Sequence, residues 1–395
     1  MNMWDVTIIG CGLSGITAAR ELADQGKRVL IFEKRKHIGG NIFDERNAEG
    51  FLIQKYGPHC FFSNDRRIRS YIEKFVRTED HFVTCKTVIN GRKIPMPFNF
   101  ESAELIYGKK QSEELKNELL KYFAGRDIVS VTELIDANNK QISDYGRYMY
   151  ENEYKQYSAK QWGRPIDNIS PEVFKRVPVY LSYKKEYQSH TDQFLPVGGF
   201  TKMAEAMLKH KNIKVCLGCD VMKDQILHIE DDRAVIRYEN NIFKGPVLFT
   251  GELDSLFQYK YGYLPYRSLE FIWKSLDQEE FQDTEIVAYP QADKITRITE
   301  YKKIPHQNVP YKTVISIEIP FEYDANAPVG NEPYYPVKNE EDNKLYAQYR
   351  HLAASVDNLF LCGRLADYQY YNMDMVMIKA WKTAKDIMRY REKNR

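Results

Sequence analysis

A glycine-rich turn between a short apolar run and a helical stretch, close to the first residue, constrains the fold more than any other feature. Residues 6–9 are typical of a buried strand, residues 16–25 have helical periodicity and end at Gly26, and residues 28–32 form a second apolar run. A strand–helix–strand unit of this kind places its two strands parallel in one sheet. The sequence therefore predicts an α/β fold built on a parallel sheet.

The turn, GCGLSG, has the glycine spacing of a dinucleotide-binding fingerprint. Gly10 is expected to make the tight turn, Gly12 to let the backbone approach a pyrophosphate, and Gly15 to let helix and strand pack closely. Glu33, at the tip of the second strand, would accept hydrogen bonds from the adenosine ribose, and the helix N-terminus would supply N–H donors for the phosphates. The predicted cofactor ligands in this element are Gly10, Gly12, Leu13, Ser14, Gly15, Glu33 and Lys34.

Two further elements favour FAD over NAD as the dinucleotide. A glycine pair ending at Gly40 precedes Asn41, and an apolar strand at 359–362 leads through Arg364 into a helix that begins near Met373. Both elements resemble those that contact FAD in the glutathione-reductase-like and amine-oxidase-like families. Arg364 is expected to neutralise the flavin pyrophosphate, with an ordinary surface arginine as the alternative.

Charge and hydropathy exclude several classes of function. The chain of 395 residues carries 57 basic and 55 acidic residues, a formal net charge of +2, which gives no electrostatic footprint for nucleic acid. Its mean hydropathy is −0.57, and no run approaches the roughly 18 apolar residues of a membrane span. A strand so near residue 1 leaves no room for a signal peptide, so a cytoplasmic location is expected.

Cys216 and Cys219 form a lone CxxC on an apolar stretch that runs into a glycine turn. A zinc site of this type needs a second pair of Cys or His ligands, and the sequence has none at that spacing. A structural role is expected for both thiols, with a metal or redox role as the alternative. No metal site is predicted.

The middle of the chain carries aromatic residues and arginines that a generic flavin oxidase does not explain. Tyr157 and Trp162 lie at the end of a helical region that starts near residue 102, and Arg176 and Arg297 follow further along the chain. Aromatic rings suit a nucleotide base, and guanidinium groups suit phosphates. We expect these residues to bind a nucleoside diphosphate.

The motifs resemble, along essentially the whole chain, those of the UDP-galactopyranose mutase family. The shared motifs are GCGLSG at 10–15, HIGGN at 37–41, YGPH at 56–59, KQWG at 160–163, KRVP at 175–178, FTGELD at 249–254, YRSL at 266–269, TRITE at 296–300, YYP at 334–336, GRL at 363–365 and MD at 373–374.

The resemblance implies a Rossmann-like FAD-binding domain with an inserted helical domain and an antiparallel β-sheet domain. The expected ranges are 1–84, 198–254 and 340–395 for the FAD-binding domain, 100–170 for the helical domain, and 85–99, 171–197 and 255–339 for the sheet domain, with a mobile loop near 168–180.

The family consists of isomerases that interconvert the pyranose and furanose forms of a nucleotide-linked sugar. The resemblance implies that N5 of the reduced flavin attacks the anomeric carbon and displaces the nucleotide, giving a covalent flavin N5–sugar adduct that recloses with the other ring size. It also implies a nucleotide-diphosphate-sugar substrate and a cellular reductant, and it is compatible with a homodimer.

Residue roles carry over from the matching motifs. Arg176 on the mobile loop and Arg297 on the fixed side would hold the diphosphate and stabilise the departing anion. The other predicted substrate contacts are Tyr157 and Trp162 in the nucleotide pocket, Tyr187, Tyr335 and Tyr370 on the phosphates, Glu318 near the sugar, and Phe62 and Asn372 at the active-site edge. The remaining predicted cofactor contacts are Gly40, Asn41, His59, Cys60, Arg364, Met373 and Met375.

Two positions depart from the family pattern. The pattern GPHxFH ends here in Phe62, and the pattern YxDMD has Asn372 in place of its first aspartate. Both changes remove polarity or charge, and an apolar surface favours the methyl group of a 6-deoxy sugar or of thymine by about 1–3 kcal/mol. The sequence therefore narrowly favours dTDP-fucopyranose as substrate, with UDP-galactopyranose as the close alternative.

Two other functions stay open from the sequence. An FAD-dependent amine oxidase-like oxidoreductase shares both cofactor elements, but it requires an aliphatic substrate tunnel and consumes oxygen. A non-catalytic protein that binds FAD or a nucleotide sugar would show no sugar chemistry when the flavin is reduced. Trp162, Arg176 and Arg297 argue against the oxidase.

Overall fold

The computed structural model describes residues 4–165, 174, 177–327 and 331–393. Its strands, in chain order, are β1 Val6–Ile9, β2 Val29–Glu33, β3 Asp44–Arg46, β4 Leu52–Gln54, β5 Phe61–Ser63, β6 Thr78–Asp80, β7 Cys85–Ile89, β8 Arg92–Met96, β9 Ile128–Val129, β10 Val179–Tyr180, β11 Asp192–Pro196, β12 Ile213–Leu217, β13 Leu227–Glu230, β14 Arg233–Tyr238, β15 Asn241–Phe243, β16 Val247–Phe249, β17 Tyr266–Leu276, β18 Ile286–Ala288, β19 Arg297–Glu300, β20 Thr313–Glu322, β21 Tyr335–Pro336 and β22 Leu359–Leu361.

The helices, again in chain order, are α1 Leu13–Asp24, α2 Arg66–Ile72, α3 Phe100–Tyr107, α4 Lys109–Tyr122, α5 Val131–Ile135, α6 Lys140–Met149, α7 Lys155–Trp162, α8 Phe200–Leu208, α9 Leu253–Leu256, α10 Glu340–Ser355 and α11 Met373–Lys393. A 3-10 turn covers Gly40–Ile42, and a π-helical turn covers Tyr150–Tyr154.

Five parallel strands form one sheet in the order β12-β2-β1-β16-β22. Strands β1 and β2 are buried along their whole length, as is usual when helices cover both faces of a sheet. Helix α1 follows β1 directly and packs against α11 and α8. The predicted α/β class is confirmed, although α1 begins at Leu13 rather than near residue 16, because Gly12 already occupies the N-cap position.

A seven-stranded sheet has the order β21-β17-β20-β19-β18-β7-β8. The sequence predicted an antiparallel sheet, but β7 and β18 pair in parallel, so the sheet is mixed. A parallel pair needs a long crossover connection, and the chain between these two strands includes all of α3–α7. The remaining neighbours pair antiparallel.

Helices α3–α7 form the helical region that the sequence predicted from about residue 102. Helix α3 begins two residues earlier, at Phe100, after a capping box between Asn99 and Ser102. The π-helical turn continues α6 into α7, and α7 ends where Gly163 adopts φ +63°. This path brings the helix of Tyr157 and Trp162 onto the seven-stranded sheet, where α7 packs on β20.

Smaller sheets complete the fold in the orders β5-β11-β6, β13-β14-β15, β10-β9 and β3-β4. The three domain ranges stay a prediction. Among the helices described, none combines the length and the apolar character that a bilayer crossing requires. The described residues hold no cluster of three metal-ligating side chains, and the thiols of Cys216 and Cys219 are free.

Candidate active site

The glycine turn after β1 leaves an open strip of backbone at the carboxyl edge of the parallel sheet. Gly10 has φ +102°, and a Cβ placed on Gly15 would lie 2.0 Å from the Gly10 carbonyl oxygen, so α1 packs on β1 only with glycine there. A Cβ on Gly12, by contrast, would find its nearest described atom, the Gly40 Cα, at 3.9 Å. The backbone at Gly12 is therefore open to a ligand, as a pyrophosphate at a helix N-terminus requires.

Glu33 ends β2 with its carboxylate buried and held in place. The N–H of Cys11 donates to Oε2 at 2.7 Å, and the N–H of Arg35 donates to Oε1 at 2.9 Å. Each carboxylate oxygen can accept a further hydrogen bond. This geometry suits the two hydroxyls of a ribose.

Arg35 is a buried cation that sequence reasoning missed in favour of its exposed neighbour Lys34. Its guanidinium pairs with Glu332 at 2.8 Å, donates to Asn41 Oδ1 at 2.9 Å, and lies 4.4 Å from the ring centroid of Tyr56. Its Nη1 is buried without a hydrogen-bond partner in the described part of the chain. An unused donor on a buried guanidinium fits a phosphate oxygen. The sequence did contain an indication that Arg35 faces the cofactor, because it follows Glu33 by two residues and alternate residues of an extended chain share a side.

The glycine strip, Glu33 and Arg35 thus fit a dinucleotide with a pyrophosphate and an adenosine ribose. The thiol of Cys60 is buried and lies against the carbonyl oxygens of Phe194 and His81, and its predicted cofactor contact stays a prediction. Met373 is buried, whereas Met375 is 51% exposed. Their predicted cofactor contacts stay predictions.

His59, a predicted cofactor contact, lies close enough to Arg364 and Arg297 for both positive charges to act on its imidazole. Burial and the positive charges of Arg364 and Arg297 lower the pKa of His59 to about 4, so the imidazole is neutral at physiological pH. Its Nδ1 lies 2.8 Å from the carbonyl oxygen of Gly57, which can only accept, so Nδ1 carries the proton. His59 therefore presents Nε2 as a hydrogen-bond acceptor.

Arg297 and Glu318 form a buried ion pair on facing residues of β19 and β20. Nε and Nη2 of Arg297 both lie 2.8 Å from Glu318 Oε2, and the Glu318 side chain is only 2% exposed. Burial opposes the charge on Arg297, but the Glu318 carboxylate outweighs it and raises the Arg297 pKa well above its usual value. Nη1 and the second N–H of Nη2 are the donors that Arg297 could direct to a phosphate. Glu318, predicted beside the sugar, is placed here as the partner of this arginine.

Aromatic side chains surround this ion pair. The ring centroid of Trp162 lies 6.2 Å from that of Tyr335 and 6.3 Å from that of Tyr370, and those two tyrosines are 5.1 Å apart. Burial raises the pKa values of Tyr157 and Tyr187 well above that of a free tyrosine. The nearby positive charge of Arg297 offsets only part of this rise. The guanidinium of Arg364 lies 4.8 Å from the Tyr370 ring centroid. The structure therefore brings five of the predicted substrate contacts together.

The two departures from the family pattern lie on β5 and just before α11. Phe62 is half-buried on β5, and its ring centroid is 5.3 Å from that of His190. Asn372 directly precedes α11. The sequence predicted an apolar edge at Phe62, but the polar imidazole of His190 lies beside it. Burial lowers the His190 pKa, which favours the neutral form of this imidazole. Arg176, the second predicted phosphate ligand, falls outside the described residues.

Lys160 and Arg267 hold α7 in place, and sequence reasoning gave neither a role. Lys160 Nζ donates to the carbonyl oxygens of residues 289, 292 and 295 at 2.7, 2.5 and 2.8 Å. Arg267 donates to the carbonyl oxygens of Gln161 at 3.1 Å and of Lys160 at 3.3 Å, near the end of the helix. Lys160 is part of the KQWG motif, but the sequence analysis assigned a role only to its tryptophan.

Comparisons with known proteins agree with this geometry. Residues 152–370 match the family described as UDP-galactopyranose mutase, and residues 8–75 match the NAD(P)-binding Rossmann-like domain. The chain is 36% identical to a UDP-galactopyranose mutase of Mycoplasma genitalium, over 98% of this chain and 96% of the relative. It is 29% identical to a dTDP-fucopyranose mutase of Escherichia coli, over 96% and 97%. A crystal structure of reduced UDP-galactopyranose mutase superposes with a TM-score of 0.73 at 16% identity, over 98% and 96% of the two chains.

Proposed function

The chain belongs to the UDP-galactopyranose mutase family, and from this premise we propose that it interconverts the pyranose and furanose forms of a sugar linked to a nucleoside diphosphate, with FAD as cofactor. The observation that carries the proposal is geometric: His59 Nδ1 lies 2.8 Å from the Gly57 carbonyl oxygen, and a Cβ placed on Gly57 would lie 3.7 Å from Arg297 Nη2. The predicted flavin contact His59 therefore lies next to the predicted phosphate ligand Arg297, which supports a diphosphate site beside a dinucleotide site.

On the cofactor side, the open backbone at Gly12 and the donor of Arg35 would hold the pyrophosphate, and Glu33 would hold the adenosine ribose. When bound, reduced FAD would supply N5 as the nucleophile towards the anomeric carbon. The neutral His59 would accept a hydrogen bond through Nε2 without adding a positive charge beside the flavin.

On the substrate side, Arg297 would neutralise the diphosphate and stabilise it as a leaving group. The tyrosines around it would donate hydrogen bonds to the phosphates, because buried hydroxyls with raised pKa values stay protonated. The indole of Trp162 would pack against the nucleotide base. The aromatic walls exclude water, which strengthens the attraction between the guanidinium and the phosphates.

For the sugar, we propose UDP-galactopyranose, because the imidazole of His190 beside Phe62 provides the polar ring that position 62 lacks. A second candidate, dTDP-fucopyranose, is favoured by Phe62 and Asn372 themselves, whose side chains are less polar than those of the family pattern. The two candidates differ in the 6-hydroxyl of the sugar, in the 2′-hydroxyl of the nucleoside and in one methyl group on the base.

The test is incubation of the dithionite-reduced protein with UDP-galactopyranose and, separately, with dTDP-fucopyranose, followed by chromatography of the furanose product. We expect product from both, with the larger kcat/KM for UDP-galactopyranose. If neither nucleotide sugar gives a furanose product, the proposed function is contradicted. A larger value for dTDP-fucopyranose would contradict only the choice of sugar.

Replacing Gly12 by alanine is expected to weaken FAD binding at least tenfold, or by about 1.4 kcal/mol, because the new methyl group would occupy the space of the pyrophosphate. Gly12 has φ −81°, which alanine adopts without strain, so the apoprotein should melt at the wild-type temperature. Flavin absorbance after gel filtration and thermal melting of the apoprotein measure the two effects. Gly15→Ala is the contrasting variant, since its Cβ would collide with the Gly10 carbonyl oxygen and should destabilise the fold itself.

Replacing Phe62 by histidine is expected to shift the ratio of kcat/KM values towards UDP-galactopyranose by about ten- to a hundredfold. The added nitrogens need partners, and an unpaired buried polar group costs about 1–3 kcal/mol. A galactose hydroxyl can be such a partner, whereas a methyl group cannot. Phe82→His makes the same ring exchange at a position that is 48% exposed and should leave the ratio unchanged. An unchanged ratio in Phe62→His would show that position 62 does not contact the sugar.

A further inference from the structure

The ammonium group of Lys160 joins α7 to the turn between β18 and β19. All three of its N–H donors are used, because three carbonyl oxygens of residues 289–295 converge on Nζ within 2.8 Å. The same turn is closed by hydrogen bonds from Tyr289 N to the Thr296 carbonyl at 2.8 Å and from Thr296 N to the Glu318 carbonyl at 3.0 Å. Lys160 thus binds a turn that is itself bonded to the strand of Glu318.

The two elements that Lys160 joins carry opposite walls of the substrate site. Tyr157 precedes Lys160 by one helical turn on α7, so both side chains share a face of the helix. Arg297 is the first residue of β19 and follows the last of the three carbonyls by two positions. The distance between the aromatic wall and the phosphate-binding guanidinium therefore depends on this contact.

Charged groups on the neighbouring elements surround the ammonium. Glu153, buried in the π-helical turn, and Asp293, in the β18–β19 turn, stabilise the positive charge, and the guanidinium of Arg267 binds the Lys160 carbonyl oxygen. Glu153 itself accepts a hydrogen bond from the Thr87 hydroxyl of β7. The contact is therefore part of a buried polar network that crosses from the sheet to the helices.

We propose that Lys160 is a positioning residue for the substrate: its ammonium group holds the helix of Tyr157 and Trp162 against the strand of Arg297 and so determines the affinity for the nucleoside diphosphate. This inference rests on the proposed function, because it assumes that a nucleotide occupies the space between these walls. Lys160 itself contacts backbone and takes no part in the chemistry.

The first test is the affinity of the oxidised holoenzyme for UDP, measured by isothermal titration. Lys160→Met keeps the length of the side chain but removes all three donors, and it should raise the Kd for UDP at least tenfold while FAD stays bound. Lys160→Arg keeps the charge but directs its donors in a plane, and it should give an intermediate Kd. Lys155 is on α7 like Lys160 and forms an exposed ion pair with Glu151. The variant Lys155→Met should bind UDP like the wild type.

The second test needs no variant at position 160. Burial lowers the Lys160 pKa to about 8, so the ammonium form that makes three contacts is lost as the pH rises through that value. The affinity of the wild type for UDP should fall above about pH 8, where the phosphates, with a second pKa of about 6, no longer titrate. Burial raises the Glu153 pKa to about 7. Glu153→Gln removes a charge that stabilises the ammonium, and it should move the fall in affinity to lower pH.

The outcomes separate the inference from the function on which it rests. If the wild type binds UDP and Lys160→Met binds it equally well, the positioning role is wrong and the proposed function stands. If Lys160→Met does not fold, a wild-type affinity that stays constant between pH 7 and 9 overturns the inference instead. If the wild-type holoenzyme binds neither UDP nor dTDP, the proposed function is wrong as well.

Discussion

The protein purified in air is expected to be yellow and to produce no furanose until its flavin is reduced. Only reduced flavin has a nucleophilic N5, and among the described residues we identify no side chain that would replace it as the nucleophile towards the anomeric carbon. Dithionite under anaerobic conditions should raise turnover of UDP-galactopyranose at least a hundredfold over the oxidised protein. Chromatography of the nucleotide sugars, with the flavin spectrum recorded in parallel, measures both quantities.

The control is a separate aerobic assay of the oxidised protein without dithionite, in which oxygen uptake is recorded after the nucleotide sugar is added. An amine oxidase-like enzyme would consume oxygen in proportion to substrate, whereas an isomerase causes no net oxidation of its substrate and therefore no uptake that depends on it. Equal turnover by the oxidised protein, kept strictly anaerobic and free of reductant, would contradict the prediction. Oxygen uptake that depends on the nucleotide sugar would favour the oxidoreductase that the sequence left open.

The parallel sheet could be predicted because its signals are local. The strand, the glycine turn and the helix of the first unit follow one another in the chain, and the structure has them at nearly the expected positions. Strand β17 could not be predicted in the same way. Phe271, Ile272 and Trp273 are consecutive apolar residues, so its 11 residues show no period of two.

The site shows the same division between local and distant information. Arg297 could be identified as a cation near a nucleotide, but its pairing with Glu318 depends on the register of β19 against β20. A shift of one residue would send either side chain to the opposite face. Likewise the ion pair of Arg35 with Glu332 joins two segments from opposite halves of the chain. Such contacts form only in the folded chain, and the sequence contains no characteristic residue spacing that predicts them.

The convergence of the aromatic residues was predictable only through the family motifs. Tyr157 and Trp162 come from a helix, Tyr187 from a loop, and Tyr335 and Tyr370 from segments on either side of α10. Nothing in their spacing requires a common site. Arg176 keeps its predicted role as a phosphate ligand, and Arg176→Ala is expected to reduce turnover as strongly as the equivalent change at Arg297.

Replacing Arg297 by alanine is expected to lower kcat by about 10²–10³, because the departing diphosphate loses a charge-assisted contact. FAD should stay bound, since Arg297 lies among the tyrosines and Glu318 rather than at the glycine turn. The variant should also be less stable by about 3–5 kcal/mol, because it leaves the carboxylate of Glu318 buried without its partner. Stability and turnover must therefore be separated before the loss of activity can be assigned to the chemistry.

The double variant Arg297→Ala/Glu318→Gln makes this separation. It removes the buried charge together with its partner, so the melting temperature should recover towards that of the wild type while turnover stays low. Arg233→Ala is the matched control, because it removes an exposed arginine of β14 that pairs with Asp357 and should change neither quantity. If the double variant recovers turnover as well as stability, Arg297 serves only to neutralise Glu318. Persistent loss of kcat in a stable double variant, with FAD bound and the Kd for UDP raised, would assign the guanidinium to the diphosphate.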